Sequence, residues 1–354
     1  MTLTTRAGRV LADLPIVQAP MAGVSTPVLA AAVSEAGALG SLALGAVTPA
    51  RADALIAAVR ECTDRPVNYN VFAHAPPVRR SAQERAWLEA LRPQFARYAA
   101  EPPAALDSPY ASFLENDGLL DVLVARRVEV VSFHFGAPRP DQVERLEAAG
   151  AVLVGCATRP EEAVRLEAAG MDLLVLQGAE AGGHRGCFDP EDDPCMPLEA
   201  LLRATRERVE LPLIAAGGLM SGADIAGVLA AGAAGAQLGT AFVCCPESSA
   251  STRHRAVLVD GTPETAMTRR ISGRPARGIV NGWFEDLEVP ESAIPAYPVA
   301  YDAGKALAAA SAAAGSGRFD VAWAGTGAGR GRALPATELV ATLAAELRSA
   351  QSPA

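Results

Sequence analysis

Leu166-Glu-Ala-Ala-Gly-Met-Asp-Leu-Leu-Val-Leu-Gln177 sets the end of a helix, a glycine and a strand in succession. Ala163, Leu166 and Ala169 fall at steps of three, which gives the helix one apolar stripe to lay on a sheet. Gly170 suits the left-handed position that closes a helix. The apolar run that follows is short and branched enough for a buried parallel strand. The same punctuation recurs in Ser34-Glu-Ala-Gly37, Leu146-Glu-Ala-Ala-Gly150 and Leu229-Ala-Ala-Gly232. Val143, Leu146 and Ala149 repeat the three-residue step.

Eight runs have the character of strands: 16–19, 39–44, 67–71, 128–133, 151–155, 172–177, 213–216 and 235–238. Eight strands alternating with helices match a (β/α)8 TIM barrel, and an open doubly wound sheet usually needs fewer. The expected fold is therefore α/β: a TIM barrel with a smaller, mainly helical substrate or lid region. The barrel is expected over residues 1–245, with an insertion at about 75–117. Residues 246–303 read as a lid or substrate region, and 304–354 as a C-terminal helical segment that packs on the barrel. A helical flap or an oligomer contact serves nearly as well for the first insertion.

In this fold the chemistry sits where strands end and βα-loops begin. Gln18–Gly23, Asn70, His134, Gln177–His184, Gly217-Gly218 and Gly239-Thr240 should therefore converge on one mouth. The stretch Gln177-Gly-Ala-Glu-Ala-Gly-Gly-His-Arg-Gly186 stands out among them. Its glycines permit close backbone approach, and His184 brings a side chain whose ordinary pKa lies near neutrality. The glycine turns after the seventh and eighth strands are where this fold grips a phosphate.

The composition narrows the function. The formal charge of -9 argues against a nucleic-acid surface, and no apolar run is long enough to span a bilayer. A cytoplasmic protein acting on small molecules is expected. The six cysteines show no Cys-x-x-Cys pair, and no metal site is expected. Lys305 is the only lysine, which disfavours Schiff-base and pyridoxal-phosphate chemistry. His74 and His254 read as surface or loop residues, Glu180 as an exposed carboxylate and Glu191-Asp-Asp193 as a solvated face. Arg274 and Arg277 read first as surface ion-pair partners, with pairing to a substrate carboxylate as the alternative.

Gln18-Ala-Pro-Met-Ala-Gly23, Val131-Ser-Phe-His-Phe-Gly136, the Gln177–Gly186 loop, Ala215-Ala-Gly-Gly218 and Gln237-Leu-Gly-Thr240 together resemble the motif set of class I nitronate monooxygenases. The resemblance implies noncovalent FMN and oxidation of a nitronate, propionate 3-nitronate or an alkyl nitronate, by dioxygen to a carbonyl compound and nitrite. It implies that Gln18, Ala19 and Pro20 line the flavin and that Asn70 and Gln177 hydrogen-bond it. Gly182 would approach the cofactor, while Gly217, Gly218, Gln237, Leu238, Gly239 and Thr240 would hold its phosphate. Met21, Ala22, Gly23 and His134 would lie on the substrate side, and His184 would be catalytic. For His134, a ring satisfied by a nearby carbonyl is the competing reading. No nucleic acid or membrane partner is implied, and a homo-oligomer is allowed. A flavin-dependent enoyl-thioester (enoyl-ACP) reductase using NAD(P)H shares the barrel and a similar histidine loop, and stands second. A flavin-binding barrel without turnover is a further alternative.

Overall fold

The computed structural model describes residues 2–352. Residues 1 and 353–354, the outermost of the expected first and last segments, lie outside the described residues.

Eight parallel strands form one sheet: β1 (Ile16–Gln18), β2 (Gly40–Ala43), β3 (Val67–Phe72), β4 (Val130–His134), β5 (Val152–Ala157), β6 (Leu173–Gln177), β7 (Leu213–Ala216) and β8 (Gly235–Leu238). Their spatial order is β1-β8-β7-β6-β5-β4-β3-β2. A parallel bridge between Val17 and Leu39 closes the ring. Every residue of β5 and β6 is buried, as expected of strands covered on both faces. The closing glycines do what their position requires: Gly37, Gly150, Gly170 and Gly232 have φ of 89°, 88°, 89° and 100°. A short N-terminal hairpin, Leu3–Thr4 with Val10–Ala12, packs Leu3 and Leu11 against Val130, Val152 and Leu173 at the end away from the βα-loops.

Seven of the barrel's outer helices follow their strands, but only a four-residue helix, Thr240–Val243, follows β8. The C-terminal helix Ala336–Gln351 fills that place, burying Leu339, Val340 and Leu343 in the barrel's outer core beside helices Gly222–Ala230 and Pro27–Glu35. The boundary expected at residue 304 falls inside a different helix, Val299–Ala313. That helix joins a second core, where Val299, Ala303 and Leu307 pack with Trp87, Leu91, Phe95, Ile271, Trp283 and Phe319. The 75–117 insertion and the late region thus share one apolar centre, which contains helix Ser81–Ala96 and sits beside the mouth. Among the described residues no helix is long and apolar enough to cross a membrane.

Candidate active site

A cavity of about 780 Å³ opens at the C-terminal ends of the strands, a size that encloses a drug-sized ligand. Ala19, Pro20, Met21, Ala22, Gly23, Asn70, His134, Gln177, Gly182, His184, Gly217, Gly218, Gln237, Gly239 and Thr240 all line it. Gln18 and Leu238 do not. Leu238 is buried in the barrel core. Gln18 is a strut: its amide nitrogen donates to the Ala19 carbonyl and to Ser25 Oγ, and its oxygen accepts from the Ser41 amide at 2.8 Å. With both ends of its side chain used inside the protein, it shapes the 19–25 turn from behind.

Gln177 also bonds within the protein through both ends of its side chain. Its Nε2 donates to the His184 carbonyl at 3.0 Å, and its Oε1 accepts from the Gly186 amide at 2.7 Å. It holds the histidine loop at both sides. Asn70 donates to Ser132 Oγ at 2.9 Å, and none of the described residues donates to its own oxygen. Asn70 therefore keeps an acceptor for a ligand.

The His184 loop is clamped by a distant segment. Gly183–His184 forms a short strand that pairs antiparallel with Ala276–Ile279, which in turn pairs with Thr265–Thr268. The His184 Nε2 lies 2.9 Å from Ser272 Oγ, and that hydroxyl also reaches the Arg274 carbonyl at 3.3 Å. Donating to that carbonyl, Ser272 accepts the Nε2–H of His184, which leaves the lone pair on Nδ1. The rings of Trp323, Tyr297, Tyr301 and Phe135 stand 5.1, 5.5, 5.8 and 6.0 Å from the imidazole. Burial, and then the positive charge of Arg274, push the His184 pKa down to about 3. The expectation of a near-neutral pKa is thereby corrected: His184 is a neutral imidazole at physiological pH.

His134 lies 3.2 Å through Nε2 from the His184 carbonyl. The competing reading, a ring satisfied by a carbonyl, describes that bond, although the ring also lines the cavity. Burial lowers its pKa to about 4. Other expectations fail where neighbouring loops cover what looked exposed, although Glu191 and Asp192 are exposed as expected. Asp193 is 5 % exposed and pairs at 2.7 Å with fully buried Arg185. Glu180 accepts from the Leu198 amide at 3.0 Å, at the start of helix Leu198–Thr205. Arg274 is buried, and Arg277 donates to the Ala179 carbonyl at 2.9 Å. His74 and His254 are both buried, and His254 lines the cavity.

The sequence reading missed much of the cavity's far wall: Tyr110, Tyr297, Tyr301, Lys305 and Trp323. Lys305 is the only Lys or Arg among the lining residues, and its ammonium lies 4.3 Å from the Tyr110 ring centre and 5.6 Å from that of Tyr301. Among the described residues it has no carboxylate in ion-pair reach. Its being the sole lysine was the available signal. Also missed was the run Gly325-Thr-Gly-Ala-Gly-Arg-Gly331, which packs against the glycine turns.

The glycine turns form a cradle along one side of the cavity. Gly217 and Gly218 have φ of 137° and 70°, and a Cβ on Gly218 would stand 2.9 Å from Thr326 Oγ1. Gly239 and the helix start at Thr240 adjoin it across β8, and Thr240 Oγ1 accepts from the Gly325 amide at 3.0 Å. Gly182 lines the cavity, and packing also requires a glycine there: a Cβ would lie 2.5 Å from the backbone of Ala324 and Gly325.

The sequence profile of the nitronate monooxygenase family matches residues 6–346. A nitronate monooxygenase of Pseudomonas aeruginosa is 50% identical over 350 residues, covering 98% of this chain and all of that one. One of Paraburkholderia phytofirmans is 49% identical over 339 residues, 95% of this chain and 93% of its own. Among solved structures, nitroalkane oxidase from Streptomyces ansochromogenes superposes with a TM-score of 0.88 at 42% identity, covering 96% of this chain and 97% of that one. FabK from Thermotoga maritima is more distant, with a TM-score of 0.71 at 25% identity over 96% of this chain and 94% of its own.

Proposed function

The chain belongs to the nitronate monooxygenase family, and from that premise we propose that it is a cytoplasmic, FMN-dependent enzyme that oxidises a carboxylate-bearing nitronate with dioxygen. Members of the family are flavin-dependent oxidoreductases. Bound flavin supplies the electron acceptor, while the protein orients the substrate and limits side reactions. One observation carries the reading: a single cavity joins the glycine cradle of β7 and β8 to the aromatic box around His184 and to the unpaired ammonium of Lys305.

Gly217, Gly218, Gly239 and Thr240 would hold the phosphate through backbone N–H groups and a helix start. Asn70 would offer its free oxygen to the ring system, and Ala19 to Gly23 would wall it. Nitronates are already anions and need no proton removed. Neutral His184 therefore suits them, because no proton has to be taken from carbon. A neutral nitroalkane asks more of it: Nδ1 would have to take a proton from carbon, and burial and Arg274 oppose the resulting imidazolium. Lys305, flanked by Tyr110 and Tyr301, would pair with a substrate carboxylate. That favours propionate 3-nitronate over alkyl nitronates.

The purified protein should release FMN on denaturation and form nitrite from propionate 3-nitronate in air. A protein that carries no flavin, takes up none and forms no nitrite would overturn the proposal.

A further inference from the structure

Two buried arginines flank the His184 loop, and only one has a countercharge. Arg185 is paired with Asp193 at 2.7 Å. Arg274 is 3 % exposed, and among the described residues no carboxylate lies in ion-pair reach of it. Its Nη1 donates to the carbonyls of Cys187 and Arg185 at 2.5 and 3.4 Å, and its Nε has no partner. Burying a guanidinium against carbonyl dipoles alone is costly, because they replace only part of its hydration. No carboxylate closes an ion pair with it, and buried Glu162 acts on it only from beyond ion-pair reach, so a closer complement has to be looked for in what the chain binds.

The guanidinium carbon lies 4.3 Å from the centre of the Phe135 ring and 5.7 Å from that of Tyr297. Both rings line the cavity, and both also touch the His184 box, at 6.0 and 5.5 Å from the imidazole. Phe135 is held at φ 77°, a left-handed conformation that side chains other than glycine rarely adopt and that often marks a functional position. This strained residue places its ring between the cation and the cavity. The guanidinium thus sits one ring behind the wall, out of contact with solvent. From there its field reaches the cavity through a medium with little screening.

We propose that Arg274 is the fixed countercharge of the anionic substrate, acting through the aromatic wall, and that it makes the cavity prefer a nitronate to the neutral nitroalkane of the same skeleton. The inference rests on the nitronate reading above. Arg274 is a positioning and specificity residue: it touches the wall, and the wall touches the ligand. A purely structural role would be to tie residues 185–187 to 272–274, which the carbonyl bonds do whether or not the ligand is charged.

The test separates charge from tethering in the flavin-loaded protein. Acetate imitates the planar anion, and acetamide is its neutral isostere. Their binding can be followed by equilibrium dialysis, which needs no turnover. In Arg274→Gln and Arg274→Met, acetate affinity and kcat/KM for ethyl nitronate should fall by about tenfold or more, while acetamide affinity and kcat/KM for nitroethane should hold or improve. Arg274→Lys, which keeps the charge with different hydrogen bonding, should retain most of the preference. Equal losses for anion and neutral probe, or a Lys variant as impaired as Gln, would overturn the inference. If neither neutral variant folds, the same two probes on Lys305→Met decide it. With the cavity-lining ammonium gone, acetate should still bind about tenfold tighter than acetamide, and equal binding would contradict Arg274 as countercharge. If dialysis shows the anion preference but no nitronate is oxidised, the functional reading fails and this inference stands.

Discussion

The cavity has two walls built in different ways. The cradle wall comes from short stretches at strand ends: Ala19–Gly23 after β1, Gly217-Gly218 after β7 and Gly239-Thr240 after β8. The histidine wall is assembled from segments far apart in sequence, with His184 on one loop, Ser272 and Arg274 on another, Tyr297, Tyr301 and Lys305 at the head of a helix, and Trp323 beyond it. The first wall offers backbone and little charge; the second offers rings, a neutral imidazole and the Lys305 ammonium, with Arg274 behind it. One suits a phosphate-bearing cofactor wherever this barrel occurs. The other can vary with the substrate, because it depends on which side chains the insertion delivers.

Breaking the histidine wall at its centre should have the largest effect. Replacing His184 with Asn should slow oxidation of neutral nitroalkanes by about 10²-fold, the low end of the usual loss for a missing general base because the lowered pKa of the imidazole makes it a weak one, and slow preformed nitronates much less. Steady-state kinetics with nitroethane and its nitronate check this, and equal losses would assign His184 to holding the ligand alone. Breaking the cradle acts elsewhere. Gly218→Val sets a branched side chain at φ 70° and against Thr326, and should weaken flavin retention by about tenfold or more while the barrel stays folded. Flavin content after dialysis and circular dichroism report the two parts.

The contrast between walls also explains what was legible in the sequence. Barrel strands and their closing glycines follow from local rules, so the helix-glycine-strand repeat placed all eight strands within a few residues. The cradle was legible for the same reason. Failures concentrate where tertiary cover decides the environment. Asp193 looks solvated in its acidic run, yet its side chain is buried against Arg185. Arg274 looks like a surface charge in an arginine-rich stretch and is buried behind Phe135. Gln18 reads as lining the flavin, but its amide is used on Ala19, Ser25 and Ser41 outside the cavity lining, whereas Gln177 lines the cavity and keeps one N–H beside its bonds to His184 and Gly186, a difference no spacing rule reveals.

Two smaller effects sharpen the comparison. Lys305→Met should raise KM for propionate 3-nitronate by about tenfold and leave ethyl nitronate nearly unchanged. In the wild type the same KM should rise with pH somewhat before an ordinary lysine would titrate, because partial desolvation at the cavity lowers the pKa of the otherwise exposed Lys305. A Lys305 variant that lost both substrates alike would mean that the ammonium does not read the carboxylate.

The smallest expected effect is in the pH profile. His184 and His134 have folded pKa values of about 3 and about 4, below the unfolded 6.5. kcat with a preformed nitronate should therefore show no histidine step between about pH 5 and 8. Stability behaves differently. Between the folded and unfolded values the unfolded chain binds more protons, so stability should fall as pH drops below about 6.5, with a limiting slope of about 1.4 kcal/mol per pH unit for each histidine. Urea titrations from pH 7 to 4.5 test that sign, and rising stability on acidification would contradict the lowered histidine pKa values.

Anaerobic mixing of the flavin-loaded protein with propionate 3-nitronate, and separately with NADH and NADPH, asks most directly what the joined walls are for. The nitronate should bleach the flavin's visible absorbance, the nicotinamides should leave it nearly unchanged, and admitting air should restore the colour as nitrite appears. Rapid bleaching by NADH, reversal by an enoyl thioester and no response to the nitronate would contradict it and assign the same cavity to a reductase.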